Sequence, residues 1–264
     1  MAKLTKAQSK AHQQAEVILA KESLTLDEKI FVYENWHESA QHDSARSGAF
    51  FTPLEFANDF KIEVHGPKIL DLCAGTGILS FCYAHFRHHE RPVDLTCVEI
   101  NPEYVRVGRK LLPEAKWICA DIFDIWRDLP RDFDSVIANP PFGRLITDRC
   151  APRYTGPEFE YKIIDIASYL GTYGTFILQQ SSTPFRLSGV PYYRRVDNPK
   201  FEKFFAETRI DIEAGCGIDT TVHREGWKQV NILTEIACCE FPRIEAEPLP
   251  ADLHEQFSLF ETAA

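Results

Sequence analysis

Four short groups of residues in this chain have the types and the spacing to do chemistry. The first is Ile69-Leu70-Asp71-Leu72-Cys73-Ala74-Gly75-Thr76-Gly77, an apolar run that ends in a turn with two glycines before Ile78-Leu79-Ser80-Phe81 opens a helical stretch. Gly75 and Gly77 let the backbone approach a ligand with no Cβ in the way. The second is Val98-Glu99-Ile100-Asn101, whose acid follows Gly77 by roughly 20 residues, the interval at which a second strand tip supplies a carboxylate to a ribose. The third is Cys119-Ala120-Asp121-Ile122-Phe123, and the fourth is Asn139-Pro140-Pro141-Phe142-Gly143.

A dinucleotide site would carry a third glycine facing a pyrophosphate. Here that glycine is missing, and Asp71 stands at the end of the strand, which favours a ligand with a cation. S-adenosyl-L-methionine has an α-ammonium group for Asp71 and a carboxylate that suits backbone N–H groups near a helix start, with Cys73 and Ala74 in the turn between them. Glu99 would accept the two ribose hydroxyls and Asp121 the adenine amine, while Ile100 and Ile122 would sandwich the adenine ring. Taken singly, each acid is as well explained by a solvated surface or a helix cap. In this order, behind the glycine turn, the three make a coherent pocket. In the fourth group, two prolines end an apolar run abruptly and fix the backbone. The Asn139 side-chain oxygen and the Pro140 carbonyl can then point at one spot, which suits an amine donor, with Phe142 as a flat face for a planar base.

These groups need a scaffold that brings strand tips together. Apolar runs at Lys68–Leu72, Val93–Val98, Lys116–Ile118, Ser135–Ala138 and Thr175–Gln179 alternate with helical stretches, the pattern of a parallel sheet with crossover helices. Two further runs, Arg209–Ile212 and Val230–Cys239, predict an antiparallel pair closing the sheet edge. Residues 3–22 and 26–38 are rich in helix formers, with Thr25 as a cap. The expectation is an α/β fold: a Rossmann-like sheet, of the kind that binds S-adenosyl-L-methionine, with an antiparallel closing hairpin and an N-terminal helical extension. The expected boundaries are 1–47 for the extension, 48–241 for the catalytic domain and 242–264 for an acidic, proline-containing tail.

At Asn139-Pro140-Pro141-Phe142 the chain resembles the amino-methyltransferases, specifically the N6-adenine enzymes with a (D/N/S)-P-P-(Y/F/W) motif. Gly48-Ala49-Phe50-Phe51-Thr52-Pro53 resembles that family's G-x-(F/Y)-(F/Y)-T-P element, which implies that Phe51, Thr52 and Pro53 close over the methionine end of the cofactor. The order of elements resembles the family's gamma arrangement, with specific motifs over residues 48–142. The resemblance implies direct methyl transfer to adenine N6 in DNA, with the base flipped out of the duplex and stacked on Phe142. Too little chain follows the motif for a large target-recognition domain, so short or relaxed specificity is expected. Structured-RNA adenine methyltransferases and protein-glutamine methyltransferases share the N-P-P core and remain alternatives, as does a degenerate fold used only for binding.

The net charge of −10 is unusual for a nucleic-acid binder, so its distribution matters. Only residues 143–203 are net basic, with 9 Lys and Arg against 6 Asp and Glu; Arg144, Arg194 and Arg195 are the candidate phosphate contacts there. Apolar residues at 44% supply a real core, which excludes disorder throughout. No secretory or membrane-spanning segment is evident, so a cytoplasmic location is expected. The eight cysteines form no C-x-x-C pair and lie mostly in apolar runs, so buried reduced thiols are expected and no metal site. In the tail, Gln256, Leu259 and Phe260 resemble the Q-x-x-L-F motif that binds the bacterial sliding clamp, which would favour DNA; equally, the same residues could pack a last turn onto the domain.

Overall fold

The computed structural model describes residues 4–37, 50–87, 92–142, 149–228 and 232–241. Five parallel strands and one antiparallel strand form a sheet: β1 (Lys68–Leu72), β2 (Asp94–Glu99), β3 (Lys116–Cys119), β4 (Phe133–Ala138), β5 (Gly171–Gln179) and, further along the chain, Thr234–Glu240. A separate two-stranded ribbon pairs β6 (Phe185–Arg186) with β7 (Arg194–Arg195), so the last sheet strand is β8. The spatial order is β3-β2-β1-β4-β5-β8. The chain runs outward from β1 to β3 and then returns to place β4 on the other side of β1. Between β1 and β4 lies the point where the strand order reverses, and loops leaving the carboxyl ends of such strands form a crevice.

Alternation along each strand serves two cores. On β1, Ile69 faces one core while Leu70 and Leu72 face the other, and on β4 Ile137 opposes Val136 and Ala138 in the same way. The first core is covered by α1 (Lys6–Leu19), α2 (Leu26–Asn35), α3 (Leu54–Phe60), α4 (Ile78–Phe86) and α5 (Pro102–Leu111). The second lies under α6 (Ile122–Ile125), α7 (Phe159–Ala167) and α8 (Pro199–Thr208). Both N-terminal helices start with reciprocal capping boxes: Thr25, the expected cap, with Glu28, and Thr5 with Gln8. Their apolar residues Ala15, Ile18, Leu19, Val32, Tyr33 and Trp36 are buried in the first core, so the extension packs on the sheet's helical layer.

The sheet edge is closed antiparallel, as expected, but by β8 against β5 over seven residue pairs from Tyr173↔Glu240 to Gln179↔Thr234. Arg209–Ile212 is not a strand. It follows an α8 C-terminus at which Arg209 adopts a left-handed conformation (φ 61°), and only Glu213 forms a bridge, to Cys238. Ile210 and Ile212 are apolar because they are fully buried in the second core, which imitates a strand in the sequence. The eight cysteines are free thiols, but their burial is mixed. Cys82, Cys97 and Cys239 are buried, whereas Cys119, Cys150 and Cys216 are exposed, against the expectation for these three. Among the described residues no helix is long and apolar enough to cross a membrane.

Candidate active site

A cavity of about 340 Å³ opens at the carboxyl end of the sheet, within the size range of small-molecule sites. Its wall is built from the tips of β1, β2, β3 and β4. The parallel register places Leu72 beside both Val98 and Ala138, so the glycine turn, the Glu99 tip and Asn139 emerge next to one another.

The turn after β1 has an unusual backbone. Cys73, Gly75 and Gly77 all have positive φ (56°, 57° and 84°), and a left-handed non-glycine residue such as Cys73 is a form of strain that clusters at ligand sites. A Cβ on Gly77 would lie 2.9 Å from the Trp117 ring, and one on Gly75 would lie 3.3 Å from Phe51, so space as well as conformation calls for glycine. The loop is tied down from three sides. Ala74 N–H donates to the Val98 carbonyl (3.0 Å), Gly75 N–H to Glu99 Oε2 (2.8 Å), and the buried Tyr33 hydroxyl of α2 to the Thr76 carbonyl (3.2 Å).

Asp71 is buried. Ser80 Oγ donates to its Oδ2 at 2.7 Å, while Oδ1 is buried with no partner among the described residues. Burial pushes its pKa up to about 7; hydrogen bonds from Ser80 hold it down and the Glu99 charge adds to the rise. An unpaired buried carboxylate oxygen is costly unless a ligand supplies a donor, so this atom fits the ammonium of an amino acid. Glu99 is also raised by burial, offset by backbone N–H groups of Asn101, Gly75 and Ile100. Its Oε1 accepts from Asn101 N–H and its Oε2 from Gly75 N–H, both at 2.8 Å, which leaves further lone pairs for hydroxyl donors. Asp121 caps α6 through Phe123 N–H (3.0 Å) and lies 3.6 Å from Arg149, so the cap and the pocket wall are the same residue. Ile122 is buried while Ile100 is 62% exposed, giving the cavity one fixed and one open apolar side.

Asn139 joins the two halves of the site. Its Nδ2 donates to the Phe50 carbonyl (2.9 Å) and to Thr52 Oγ1 (3.0 Å), and its Oδ1 is buried without a partner among the described residues. Pro140 is buried behind it, and Pro141 lines the cavity. The half-buried Phe142 ring lies 6.1 Å from both Phe50 and Trp227. Pro53 starts α3 and packs against Gly226, where an added Cβ would come within 2.9 Å.

Of the sequence-selected residues, the cavity wall brings together Phe51, Thr52, Asp71, Cys73, Ala74, Gly75, Glu99, Ile100, Asp121, Ile122, Asn139 and Pro141. Gly77, Pro53, Pro140 and Phe142 support it from behind or beside. The phosphate candidates fare differently. Arg194 is exposed on β7 and makes no ion pair among the described residues, whereas Arg195 is held by Asp211 (2.8 Å) and Glu213 (2.6 Å). Arg144, Gly48, Ala49 and the tail residues Gln256, Leu259 and Phe260 lie outside the described residues. Several contributors were not found from sequence. Ser80 lies nine positions after Asp71, on the first turn of the following helix, and its spacing could have revealed it. Trp36 and Tyr104, which flank Phe51 at 5.7 and 5.0 Å, and Trp227 have no local signal, because each is contributed by a distant element.

Residues 55–149 match the family model of the methyltransferase small domain. The chain carries a methyltransferase fold. It superimposes on the methyltransferase subunit of a type I restriction-modification system from Streptococcus thermophilus with a TM-score of 0.53 at 16% identity, covering 82% of this chain and 50% of that one. This chain therefore spans about half of that subunit. It is also similar to a Pyrococcus horikoshii protein put forward as an RNA methyltransferase (TM-score 0.45, 15% identity, 92% and 100% covered). A third similar structure is the 23S rRNA methyltransferase ErmE (0.48, 17%, 78% and 74%). At these identities the likeness is one of fold. No curated relative matches the sequence. The family model and the fold support a methyltransferase whose cofactor is S-adenosyl-L-methionine, in agreement with the acid at each strand tip.

Proposed function

We propose that the protein transfers a methyl group from S-adenosyl-L-methionine to the N6 amine of adenine in DNA. The observation that carries this reading is the buried Oδ1 of Asn139, without a partner among the described residues, an acceptor at the wall of the cofactor cavity where an incoming amine would need one. Bound in the cavity, the cofactor supplies an electrophilic methyl group on a sulfonium. The N6 lone pair is delocalised into the adenine ring and is a poor nucleophile. Asn139 Oδ1, accepting one N–H, favours a more tetrahedral nitrogen and holds it in line; the Pro140 carbonyl is assigned the second N–H. An amide oxygen is too weak a base to keep the proton, which leaves to water. Catalysis is then mostly positioning and hydrogen bonding. Phe142, braced by Phe50 and Trp227, supplies the flat wall for a planar base. A base inside a duplex cannot reach such a wall without leaving the stack. Arg194, exposed and without an ion pair among the described residues, suits a flanking phosphate. The Q-x-x-L-F pattern at Gln256, Leu259 and Phe260 favours DNA, through a clamp on replicating duplex.

The test is transfer of labelled methyl to matched DNA and RNA oligomers, with identification of the methylated nucleoside. N6-methyladenine in DNA is expected. Asn139→Ala is expected to lower the rate by about 10²–10³-fold, the scale for removing one preorganised hydrogen-bonding group, with cofactor affinity little changed. Label in RNA alone transfers the same chemistry to an RNA substrate. Label in neither, or near-normal turnover by Asn139→Ala, overturns the assignment.

A further inference from the structure

We propose that Thr52 is a positioning residue: together with the Phe50 carbonyl it fixes the Asn139 amide so that the oxygen, and not the nitrogen, meets the target amine. The inference rests on the function proposed above and deepens it, since Thr52 then acts on the catalytic amide as well as lining the cofactor cavity.

An amide side chain has two nearly isosteric ends with opposite hydrogen-bonding character, and nothing in Asn139 itself decides which end faces the cavity. The surroundings decide it. A main-chain carbonyl can only accept, and the Phe50 carbonyl lies 2.9 Å from one end of the Asn139 amide. Reversing the amide would set two acceptor oxygens against each other at that distance and would point two N–H groups at an amine whose N–H groups need acceptors and whose lone pair must stay free for the methyl group. Thr52 Oγ1, at 3.0 Å, accepts the second N–H, so both donors of the amide are engaged. What remains is one oxygen with no partner among the described residues.

Thr52 is itself held in place. It is buried; Phe51 before it packs on Trp36 and Tyr104; Pro53 after it opens α3 and abuts Gly226. The Phe50–Pro53 segment therefore faces the cofactor cavity with one set of atoms and orients the catalytic amide with another. Rigid supporting hydrogen bonds of this kind are what keep a catalytic group within its productive geometry.

The experiment is single-turnover methyl transfer at saturating cofactor, with cofactor affinity measured separately, for Thr52→Val, Thr52→Ser, Asn139→Ala and Asn139→Asp. Thr52→Val keeps the shape and removes the acceptor; the rate is expected to fall about tenfold, the scale of one hydrogen bond, with cofactor Kd within about threefold, and Thr52→Ser is expected to restore it. Asn139→Asp keeps acceptor oxygens but loses the donors, so a carboxylate there opposes the Phe50 carbonyl. Its rate is expected to be low in alkaline buffer and to rise as the pH falls, because the protonated carboxyl can donate to Phe50 and accept with its other oxygen. A Thr52→Val enzyme with the wild-type rate, or one whose whole defect lies in cofactor Kd, overturns the proposal. So does an Asn139→Asp enzyme that loses activity towards acid. Full activity of Asn139→Ala would instead sink the functional reading itself, so the two failures are distinguishable.

Discussion

The acidic cofactor pocket and the basic residues of 149–203 are built on different principles. In the cofactor pocket, β1, β2 and β3 each deliver one acid to the carboxyl end of the sheet, and hydrogen bonds from the glycine turn and the helix after it set the geometry: Glu99 accepts from Gly75, and Ser80 donates to Asp71. In the basic segment three arginines are instead drawn into the fold by partners elsewhere in the chain. Arg195 is held by Asp211 and Glu213. Arg153 binds the fully buried Asp165 and the Thr208 carbonyl, and Arg149 binds Asp124. The buried carboxylate of Glu235 is satisfied by Gln180, Leu187 and Ser188, which anchors the connection between β6 and β7. The lesson is that a basic segment counted from sequence overstates the free charge, whereas an acidic motif at strand tips does not overstate the pocket.

The largest effect that would break this contrast is on cofactor binding by Glu99→Ala. The substitution removes the acceptor for ribose hydroxyls and also releases the Gly75 N–H, so it should weaken affinity by about 1.5–3 kcal/mol, the range for hydrogen bonds to a charged group. Calorimetry that found unchanged affinity would reduce Glu99 to a loop brace.

Next comes the pH dependence that Asp71 imposes. With its pKa pushed up to about 7 by burial, Asp71 is partly protonated near neutrality in the free protein. An ammonium ligand favours the carboxylate, so binding expels a proton and is strongest above about 7. Below that it should weaken by up to about tenfold per pH unit, as linkage to one proton requires. Glu99, also raised by burial, acts in the same direction. Ser80→Ala removes a bond that holds Asp71 down, so the fall should begin at higher pH. Calorimetry in buffers of different ionisation heat reads the proton directly; affinity that stays level into acid would mean that Asp71 does not meet the cation.

The same contrast explains what the sequence reveals. The strands of the sheet and the three acids were legible because parallel pairing converts a spacing along the chain into adjacency at the strand tips. The Arg209–Ile212 run misled because burial against a second core has the same composition as a strand. Trp36, Tyr104 and Trp227 were invisible because aromatic walls are assembled across the tertiary fold, Trp36 from α2 and Trp227 from a residue beyond α8. The orientation of Asn139 was likewise hidden, since it depends on two acceptors that arrive from nearly ninety residues upstream.

The smallest expected effect separates two neighbouring arginines on β7. Counted by sequence, Arg194 and Arg195 are equal candidates for phosphate contacts. In the fold Arg194 is exposed without an ion pair among the described residues, while Arg195 bridges two carboxylates. A cation that gains a phosphate contact releases counterions, and each such contact contributes about 0.9 to the slope of log affinity against log salt. Arg194→Ala should therefore lower the slope for DNA by about that amount. Arg195→Ala should leave the slope nearly unchanged, because its charge is already compensated and its loss uncovers Asp211 and Glu213 instead. The double variant should match Arg194→Ala in slope. Equal slope changes from the two single variants would mean that Arg195 exchanges its carboxylates for phosphate on binding, and that its charge is not spent on the fold. No change from Arg194→Ala would move the phosphate path away from the β6–β7 ribbon altogether.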